Sequence, residues 1–214
     1  MEYRYIKISE IKNKVFQVTF KNPNSRNAIN SVMLDEIITC VEKISKNKNC
    51  RVLIFTGTGE AFSAGADLEW MRQSVNLSIQ DNKEDALKFS KMLKMIDELY
   101  CPTIALINGH TFGGGLGIIC ACDFKIADNS SKFCFSEVKL GLIPAMIGPY
   151  VLRTIGFVNT KKLFLTGEIF NAEKAYELNL IDKFVNKNNL IEERNTLIRK
   201  ILLGAPKAQQ EIKD

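Results

Sequence analysis

The sequence lacks the marks of a secreted, membrane-bound or metal-binding protein. It has one histidine, and its six cysteines include no CxxC pair of the kind that binds zinc or performs redox chemistry. No apolar stretch is long enough to span a membrane, and the N-terminal MEYRYIKISE has charges in every turn and no apolar core of a signal peptide. We therefore expect a cytoplasmic protein with reduced, mostly buried thiols, no metal and no membrane contact.

Strong charge of one sign is also missing. The chain has 29 Lys and Arg against 24 Asp and Glu, a net charge of +5, and its densest basic run, KISKNKNCR at residues 43–51, is diluted by asparagine. This balance fits a solvated surface or a small polyanionic ligand better than duplex DNA, so we expect no nucleic-acid partner. GxxxxGK[ST] is absent, and GGGLG lacks the spacing of GxGxxG, which argues against the common nucleotide-binding loops.

The 214 residues, 46% of them apolar and 25% charged, are typical of one globular domain, and no repeat or linker divides residues 1–214. Tyr3–Phe20 predicts a strand hairpin, and Asn30 or Ser31 can cap a helix. Apolar runs predict further strands at Val52–Phe55, Thr103–Ile107, Phe124–Ala127, Lys132–Phe135 and Lys183–Val185, and helical patterns cover Asp81–Leu99, Ile118–Cys122 and most of the chain after Pro144. Strands dominate the front and helices the back, which indicates an α/β fold.

A glycine-rich loop, Gly113–Gly115, follows one buried strand and opens a helix. Backbone N–H groups gathered at the positive end of a helix bind an anion or a developing oxyanion. Three glycines also serve plain close packing, and the sequence leaves both interpretations open.

A second loop of small residues, Phe62–Asp67, also follows a buried strand. Its small side chains allow the backbone to approach a ligand, while Asp67 is suited to cap the next helix. Loops at the carboxyl ends of buried strands are where α/β proteins usually place their sites. Two backbone donors that converge on one carbonyl oxygen would polarise it.

Glu137 lies in KFCFSEVKLGLIP, among aromatic, aliphatic and small residues. A carboxylate in apolar surroundings has a raised pKa and can exchange protons near neutral pH. The alternative, that Glu137 caps a turn or pairs with Lys139 at the surface, is favoured by its local sequence alone. His110 fits no catalytic triad, since GxSxG is absent, and is interpreted as a loop histidine bonded to backbone. Cys120 and Cys122 are interpreted as core residues.

Taken together, the motifs resemble the crotonase superfamily, the enoyl-CoA hydratases and isomerases. The matching segments occur in family order and cover about Val15–Val185: RNAIN (26–30), AFSAGADL (61–68), INGHTFGGG (107–115), CDFKIA (122–127), FSEVKLGLIP (135–144), LTG (165–167) and AEKA (172–175). Within the family, SAGADLEWM and FCFSEVKLGLIPA are most similar to the methylglutaconyl-CoA hydratase-like group.

The resemblance implies a crotonase-like spiral of ββα units over residues 1–185, followed by a helical tail over 186–214 that is shorter than in relatives. It implies assembly as a homotrimer or hexamer and an acyl-CoA thioester as substrate, with no cofactor besides that coenzyme A. The acyl group would be short and branched or carboxylated.

The resemblance also assigns residues to the ligand. The amides of Ala66 and Gly114 would hold the thioester oxygen, which makes both catalytic together with Glu137. The residues assigned to coenzyme A are Arg26 near the phosphates, Ala28 and Ala64 at the adenine, and the neighbouring Asp67 and Leu68.

One departure concerns the number of glutamates. Glu137 matches the second catalytic glutamate of the family's hydratases, whereas the position of the first is Gly117. A single glutamate can deliver hydroxyl and proton from one side, or it can move a proton between two carbons without water, as in the family's 3,2-enoyl-CoA isomerases. We therefore expect a hydratase first, an isomerase second, and third an acyl-CoA-binding protein without turnover, which Gly117 and the short tail would explain.

Overall fold

The computed structural model describes residues 3–74 and 76–213, so the predicted domain limits, residues 1 and 214, lie outside the described part. The strands are β1 (Ile6–Lys12), β2 (Val15–Phe20), β3 (Val52–Gly57), β4 (Ala61–Ser63), β5 (Thr103–Ile107), β6 (His110–Phe112), β7 (Phe124–Asp128), β8 (Lys132–Cys134), β9 (Phe170–Asn171) and β10 (Lys183–Val185). The helices are α1 (Ser31–Asn47), α2 (Leu68–Ser74), α3 (Ile79–Asp97), α4 (Gly114–Ala121), α5 (Gly148–Thr166), α6 (Ala172–Glu177), α7 (Leu190–Leu202) and α8 (Pro206–Lys213). Over these residues, none of the helices combines the length and the apolar character that crossing a membrane requires.

From β3 to β8, consecutive strands alternate between two sheets. The larger sheet has the order β1-β2-β3-β5-β7-β10 and the smaller one the order β4-β6-β8-β9. Thus β3 and β4 precede α2 and α3, β5 and β6 precede α4, and β7 and β8 precede the short 3-10 helix Glu137–Leu140. Each such unit contributes one strand to the larger sheet, one strand to the smaller sheet and then a helix, which confirms the predicted α/β spiral of ββα units.

The larger sheet is buried on both faces by alternate side chains. Leu53 and Phe55 of β3 belong to the main core, whereas Val52 and Ile54 pack on the opposite face in a cluster that includes residues of α7. A strand covered on both faces needs apolar residues at every position, which explains the unbroken run at Val52–Phe55. The sheet also continues through the predicted hairpin, since β1 and β2 pair antiparallel.

The helix starts follow local chemistry. The Asn30 side chain accepts a hydrogen bond of 2.9 Å from the Met33 amide and caps α1, which decides between the two predicted caps. α4 begins at Gly114, as predicted for a glycine loop that opens a helix, four residues before the helical pattern at Ile118–Cys122. Glycine has a low helix propensity, but the three glycines are packed against neighbouring elements, and tertiary contact overrides that preference.

Candidate active site

Three parallel strands of the smaller sheet end side by side. β4 pairs with β6 and β6 pairs with β8, each in parallel. Residues 64–66 follow the first strand, Gly113 and Gly114 follow the second, and Ser136 and Glu137 follow the third. Because the carboxyl ends of parallel strands lie at one edge of a sheet, three segments that are distant in sequence meet there.

The two small-residue loops touch at Gly65. Gly65 has a φ of +88°, and a Cβ placed on it would lie 2.8 Å from the carbonyl oxygen of Phe112 and 3.1 Å from the amide nitrogen of Gly114. Only glycine tolerates both the left-handed conformation and this close approach. The residue before Ala66 therefore lies directly against the Gly114 amide.

The amides of Ala66 and Gly114 are available to a ligand. A parallel bridge joins Ala66 to Ile29: the Ile29 amide donates to Gly65 at 2.7 Å, and the Asp67 amide donates to Ile29 at 2.9 Å. These two hydrogen bonds involve the Gly65 carbonyl oxygen and the Asp67 amide and leave out the Ala66 amide. The Ala66 N–H has no acceptor among residues 3–74 and 76–213. The Gly114 N–H also lacks one in that part of the chain, because Gly114 is the first residue of α4. The positive end of α4 favours a negatively charged oxygen here.

Glu137 begins the short 3-10 helix and lies beside Gly113. Its Oε1 lies 3.4 Å from the place a Cβ on Gly113 would occupy, and its Oε2 is buried with no hydrogen-bond partner in the described chain. Burial raises the pKa of the Glu137 carboxyl above its ordinary value. Across the described residues it forms no ion pair with Lys139, so the predicted alternative of a surface ion pair is wrong. A carboxyl in this state can exchange protons near neutral pH.

The segment that contains Arg26 and Ala28 is fixed to the first loop. The Ala64 amide donates to the Arg26 carbonyl oxygen at 2.9 Å. Arg26 and Asn27 both have positive φ values, +51° and +55°, which turn the chain after the 3-10 helix Pro23–Ser25. Arg26, Ala28 and Ala64, predicted to bind coenzyme A, are therefore neighbours in the fold.

Sequence reasoning missed Asn27, which is fully buried. Its Nδ2 donates to the carbonyl oxygens of Thr58 and Ala61 at 2.9 and 2.8 Å, and its Oδ1 accepts from the Asn22 amide at 2.9 Å. Its own carbonyl oxygen accepts from Ser63 Oγ at 2.9 Å. One signal was available, since asparagine tolerates the left-handed conformation better than other non-glycine residues.

These segments enclose a cavity of about 840 Å³, a size typical of sites for small molecules. All the residues predicted to act in catalysis or in binding coenzyme A line it: Arg26, Ala28, Ala64, Ala66, Asp67, Leu68, Gly114 and Glu137. Its apolar lining includes Phe89, Phe112, Leu142, Met146 and Ile147, and its cations are Arg26, Arg72 and Lys139.

Asp67 and Leu68 stand at the start of α2. Asp67 Oδ1 accepts from the amides of Glu69 and Trp70 at 3.0 Å each, which confirms the predicted helix cap. The Leu68 side chain is 55% exposed although it lines the cavity, so it lies at the cavity's open edge.

Gly117, where the family's first glutamate would stand, is buried in α4 and does not line the cavity. A Cβ placed on it would lie 2.4 Å from Cγ2 of Ile147, a distance that real side chains do not reach. Ile147 therefore fills the space that a side chain at position 117 would occupy.

The remaining candidates lie away from this chemistry. His110 lies in β6 rather than in a loop, but its Nδ1 accepts from the Lys132 amide at 3.2 Å, so its bond to backbone is as predicted. Cys120 and Cys122 belong to the main core, as predicted, and burial raises the pKa of Cys120 to about 11.

Sequence comparison gives one consistent family. Residues 10–214 match the family described as enoyl-CoA hydratase/isomerase. Crotonyl-CoA hydratase of Syntrophomonas wolfei is 33% identical over 204 residues, which are 94% of this chain and 77% of that protein. Enoyl-CoA isomerase/hydratase fer4 of Mycosarcoma maydis is 34% identical over 209 residues, 93% of this chain and 75% of that protein.

Solved structures agree with the sequence match. An enoyl-CoA hydratase from Shewanella pealeana superposes with a TM-score of 0.95 at 36% identity, covering 99% of this chain and 79% of that one. An enoyl-CoA hydratase from Bacillus anthracis gives a TM-score of 0.91 at 29% identity, covering 98% of this chain and 81% of that one. With its spiral of two sheets and its matched sequence, the chain belongs to the enoyl-CoA hydratase/isomerase (crotonase) family of enzymes.

Proposed function

We propose that this protein adds water across the double bond of a short enoyl-CoA thioester, with Glu137 as acid and base and the Ala66 and Gly114 amides as donors to the thioester oxygen. One observation carries the proposal: within the described part of the chain, a buried carboxylate oxygen without a partner and two unpaired amides from separate loops line one cavity. The reaction class is further supported by relatives named crotonyl-CoA hydratase and short-chain-enoyl-CoA hydratase.

In the proposed sequence of steps, the ionised Glu137 takes a proton from water while the hydroxyl oxygen bonds to the β-carbon of the enoyl group. The electron pair of the double bond moves onto the thioester, whose negatively charged enolate oxygen accepts hydrogen bonds from Ala66 and Gly114. Glu137 then returns the proton to the α-carbon, which yields a 3-hydroxyacyl-CoA and restores the carboxylate. Each donor of this kind typically lowers the barrier by about 3 kcal/mol.

For the coenzyme A part we assign Arg26 to the phosphates and the backbone of Ala28 and Ala64 to the adenine. The hydrogen bond between the Ala64 amide and the Arg26 carbonyl supports this, because it joins the two segments. Asp67 acts by fixing the start of α2, and Leu68 offers an exposed apolar contact. The steps use only side chains, amides and water, so we expect no cofactor besides the coenzyme A of the substrate.

A second candidate, enoyl-CoA isomerisation, is favoured by the presence of one buried carboxylate rather than a pair. Of the described residues that line the cavity, Glu137 alone has a buried carboxylate oxygen without a partner. One such group can remove a proton from one carbon and return it to another without water. The relative from Mycosarcoma maydis is named as both an isomerase and a hydratase.

We propose a short acyl group, branched or carboxylated, like that of methylglutaconyl-CoA. Apolar lining residues such as Met146 and Ile147 support a branched chain, and Arg72 or Lys139 would pair with a terminal carboxylate. Comparing the turnover of one branched and one carboxylated enoyl-CoA shows which acyl group the protein accepts.

Assembly and compartment are proposals as well. Phe157, Val158 and Leu165 of α5 are each more than 60% exposed, and such apolar surface supports a homotrimer or hexamer. The six cysteines are free and buried, which supports a reducing compartment, the cytoplasm.

The test is incubation of a panel of enoyl-CoA thioesters in ¹⁸O-labelled water. We expect label in the 3-hydroxyl group of the product. A shifted double bond without label would establish the isomerase instead, and intact substrate throughout would reject both reactions.

The variant that tests the role of Glu137 is Glu137→Gln, which removes the carboxyl that carries the proton and keeps the shape of the side chain. We expect kcat to fall about 10²–10⁴-fold, the usual contribution of a general acid–base group, while the Kd for coenzyme A stays unchanged. Glu69→Gln is the control: Glu69 also lines the cavity but is exposed, and this variant should retain full activity.

A further inference from the structure

The first turn of α4 has two glycines on one face, and each is covered by an apolar side chain. A Cβ on Gly114 would lie 2.7 Å from Cζ of Phe89, and a Cβ on Gly117 would lie 2.4 Å from Cγ2 of Ile147. Both covering side chains are 2% exposed and line the cavity. Phe89 and Ile147 therefore form the cavity lining against α4.

Ile147 lies one helical turn beyond the catalytic carboxyl. Glu137 Oε1 is close to Gly113, the residue before α4, and three residues of α-helix lead from Gly114 to Gly117, a rise of about 4.5 Å. The distance that remains for an acyl chain beyond Glu137 is therefore short.

The position of Ile147 is fixed by its backbone. Its carbonyl oxygen accepts from the amides of Tyr150 and Val151 at 3.1 Å each, in the first turn of α5. Its side chain packs against Gly117, and Cδ1 of Leu93 also lies 3.2 Å from the place of a Gly117 Cβ. Ile147 is only 2% exposed, so its side chain cannot move aside for a ligand without disturbing the core.

We infer that Ile147 determines substrate specificity by closing the acyl end of the cavity and limiting the acyl chain to a short one. The inference rests on the proposed function for the identity of the ligand as an acyl-CoA thioester. This role of Ile147 requires glycine at position 117, because any side chain there would take the space that Ile147 fills.

The test measures binding of saturated thioesters, which can be neither hydrated nor isomerised. The Kd values of butanoyl-CoA and octanoyl-CoA are determined by calorimetry for the wild type, Ile147→Ala and Ile147→Val. We expect Ile147→Ala to lower the Kd of octanoyl-CoA at least about tenfold relative to that of butanoyl-CoA. The reason is that one methylene in an apolar pocket changes discrimination between ligands 10–200-fold. Ile147→Val, which loses one carbon, should shift the ratio in the same direction by less.

Ile143→Ala is the matched control. Ile143 lines the same cavity from the same connecting segment but is 81% exposed, so its removal should leave the ratio of the two Kd values unchanged. An equal shift in this variant would show a general loosening of the cavity and would overturn the role of Ile147.

Thermal unfolding identifies variants that do not fold. An unchanged ratio in folded Ile147→Ala overturns the inference, and if that variant does not fold, an unchanged ratio in Ile147→Val overturns it. If the wild type binds butanoyl-CoA and the ratio shifts as expected, but no enoyl-CoA is turned over, the inference stands and the proposed reaction fails. A wild type that binds neither thioester rejects both.

Discussion

Gly65→Ala tests the two amides without replacing either residue that supplies them. Gly65 has a φ of +88°, so alanine there adds about 1–2 kcal/mol of left-handed backbone strain. Its new methyl group would lie 2.8 Å from the Phe112 carbonyl oxygen and 3.1 Å from the Gly114 nitrogen, both too close, so the Gly114 loop must shift. We expect kcat to fall about 10²–10³-fold, the usual consequence of losing one oxyanion donor.

Gly59→Ala separates this effect from strain alone. Gly59 has a φ of +77°, and a Cβ on it would meet only Pro23 among the described residues, at 3.3 Å. Urea denaturation should show that Gly59→Ala loses about 1–2 kcal/mol of unfolding free energy and that Gly65→Ala loses at least as much. Steady-state hydration of crotonyl-CoA, followed by loss of the conjugated enoyl absorbance, should show a loss of kcat in Gly65→Ala only. A folded Gly65→Ala protein with wild-type kcat would refute the role of the Gly114 amide.

Burial raises the pKa of Glu137 above its ordinary value of 4.5, and the ionised form is the base, so kcat/KM should fall as pH decreases through this raised pKa; a pH–rate profile that is flat down to pH 4.5 would contradict this. Because the folded-state pKa is raised, the stability that Glu137 contributes is complete below 4.5 and is lost as pH rises through the folded-state value. Urea denaturation should therefore find Glu137→Gln more stable than the wild type at neutral pH, with the difference shrinking toward pH 4.5; an equal difference at both pH values would rule out the buried charge of Glu137 as its cause. Asn27→Ala removes a fully buried donor to the Thr58 and Ala61 carbonyls. It should lower the unfolding free energy by about 2–3 kcal/mol and weaken coenzyme A binding, and an unchanged unfolding midpoint would argue against that network.

Several features could be read from the sequence because their causes are local. The unbroken apolar run at Val52–Phe55 predicted a strand buried on both faces, and it lies between two apolar clusters. Asn30 was one of two predicted caps for α1, since an N-cap is decided by a side chain and an amide three residues apart. The ordered motifs identified the family. The apolar residues around Glu137 offered a raised pKa as one of two interpretations.

Other features were decided by tertiary contacts, which local patterns do not encode. β4 and β6 have three residues each, too few to show a period, and they exist because parallel pairing joins segments more than 40 residues apart. The choice between a surface ion pair and a buried carboxyl for Glu137 depended on what packs over it. Asn27 and Ile147 were not singled out, because their importance lies in contacts with residues 58–61 and with Gly117, distant in the chain. The sequence by itself thus determined the longer elements and the chemistry of the loops between them. Only the tertiary structure decided which amides, carboxyl and apolar side chains share one cavity, because that depends on the pairing of strands remote in sequence.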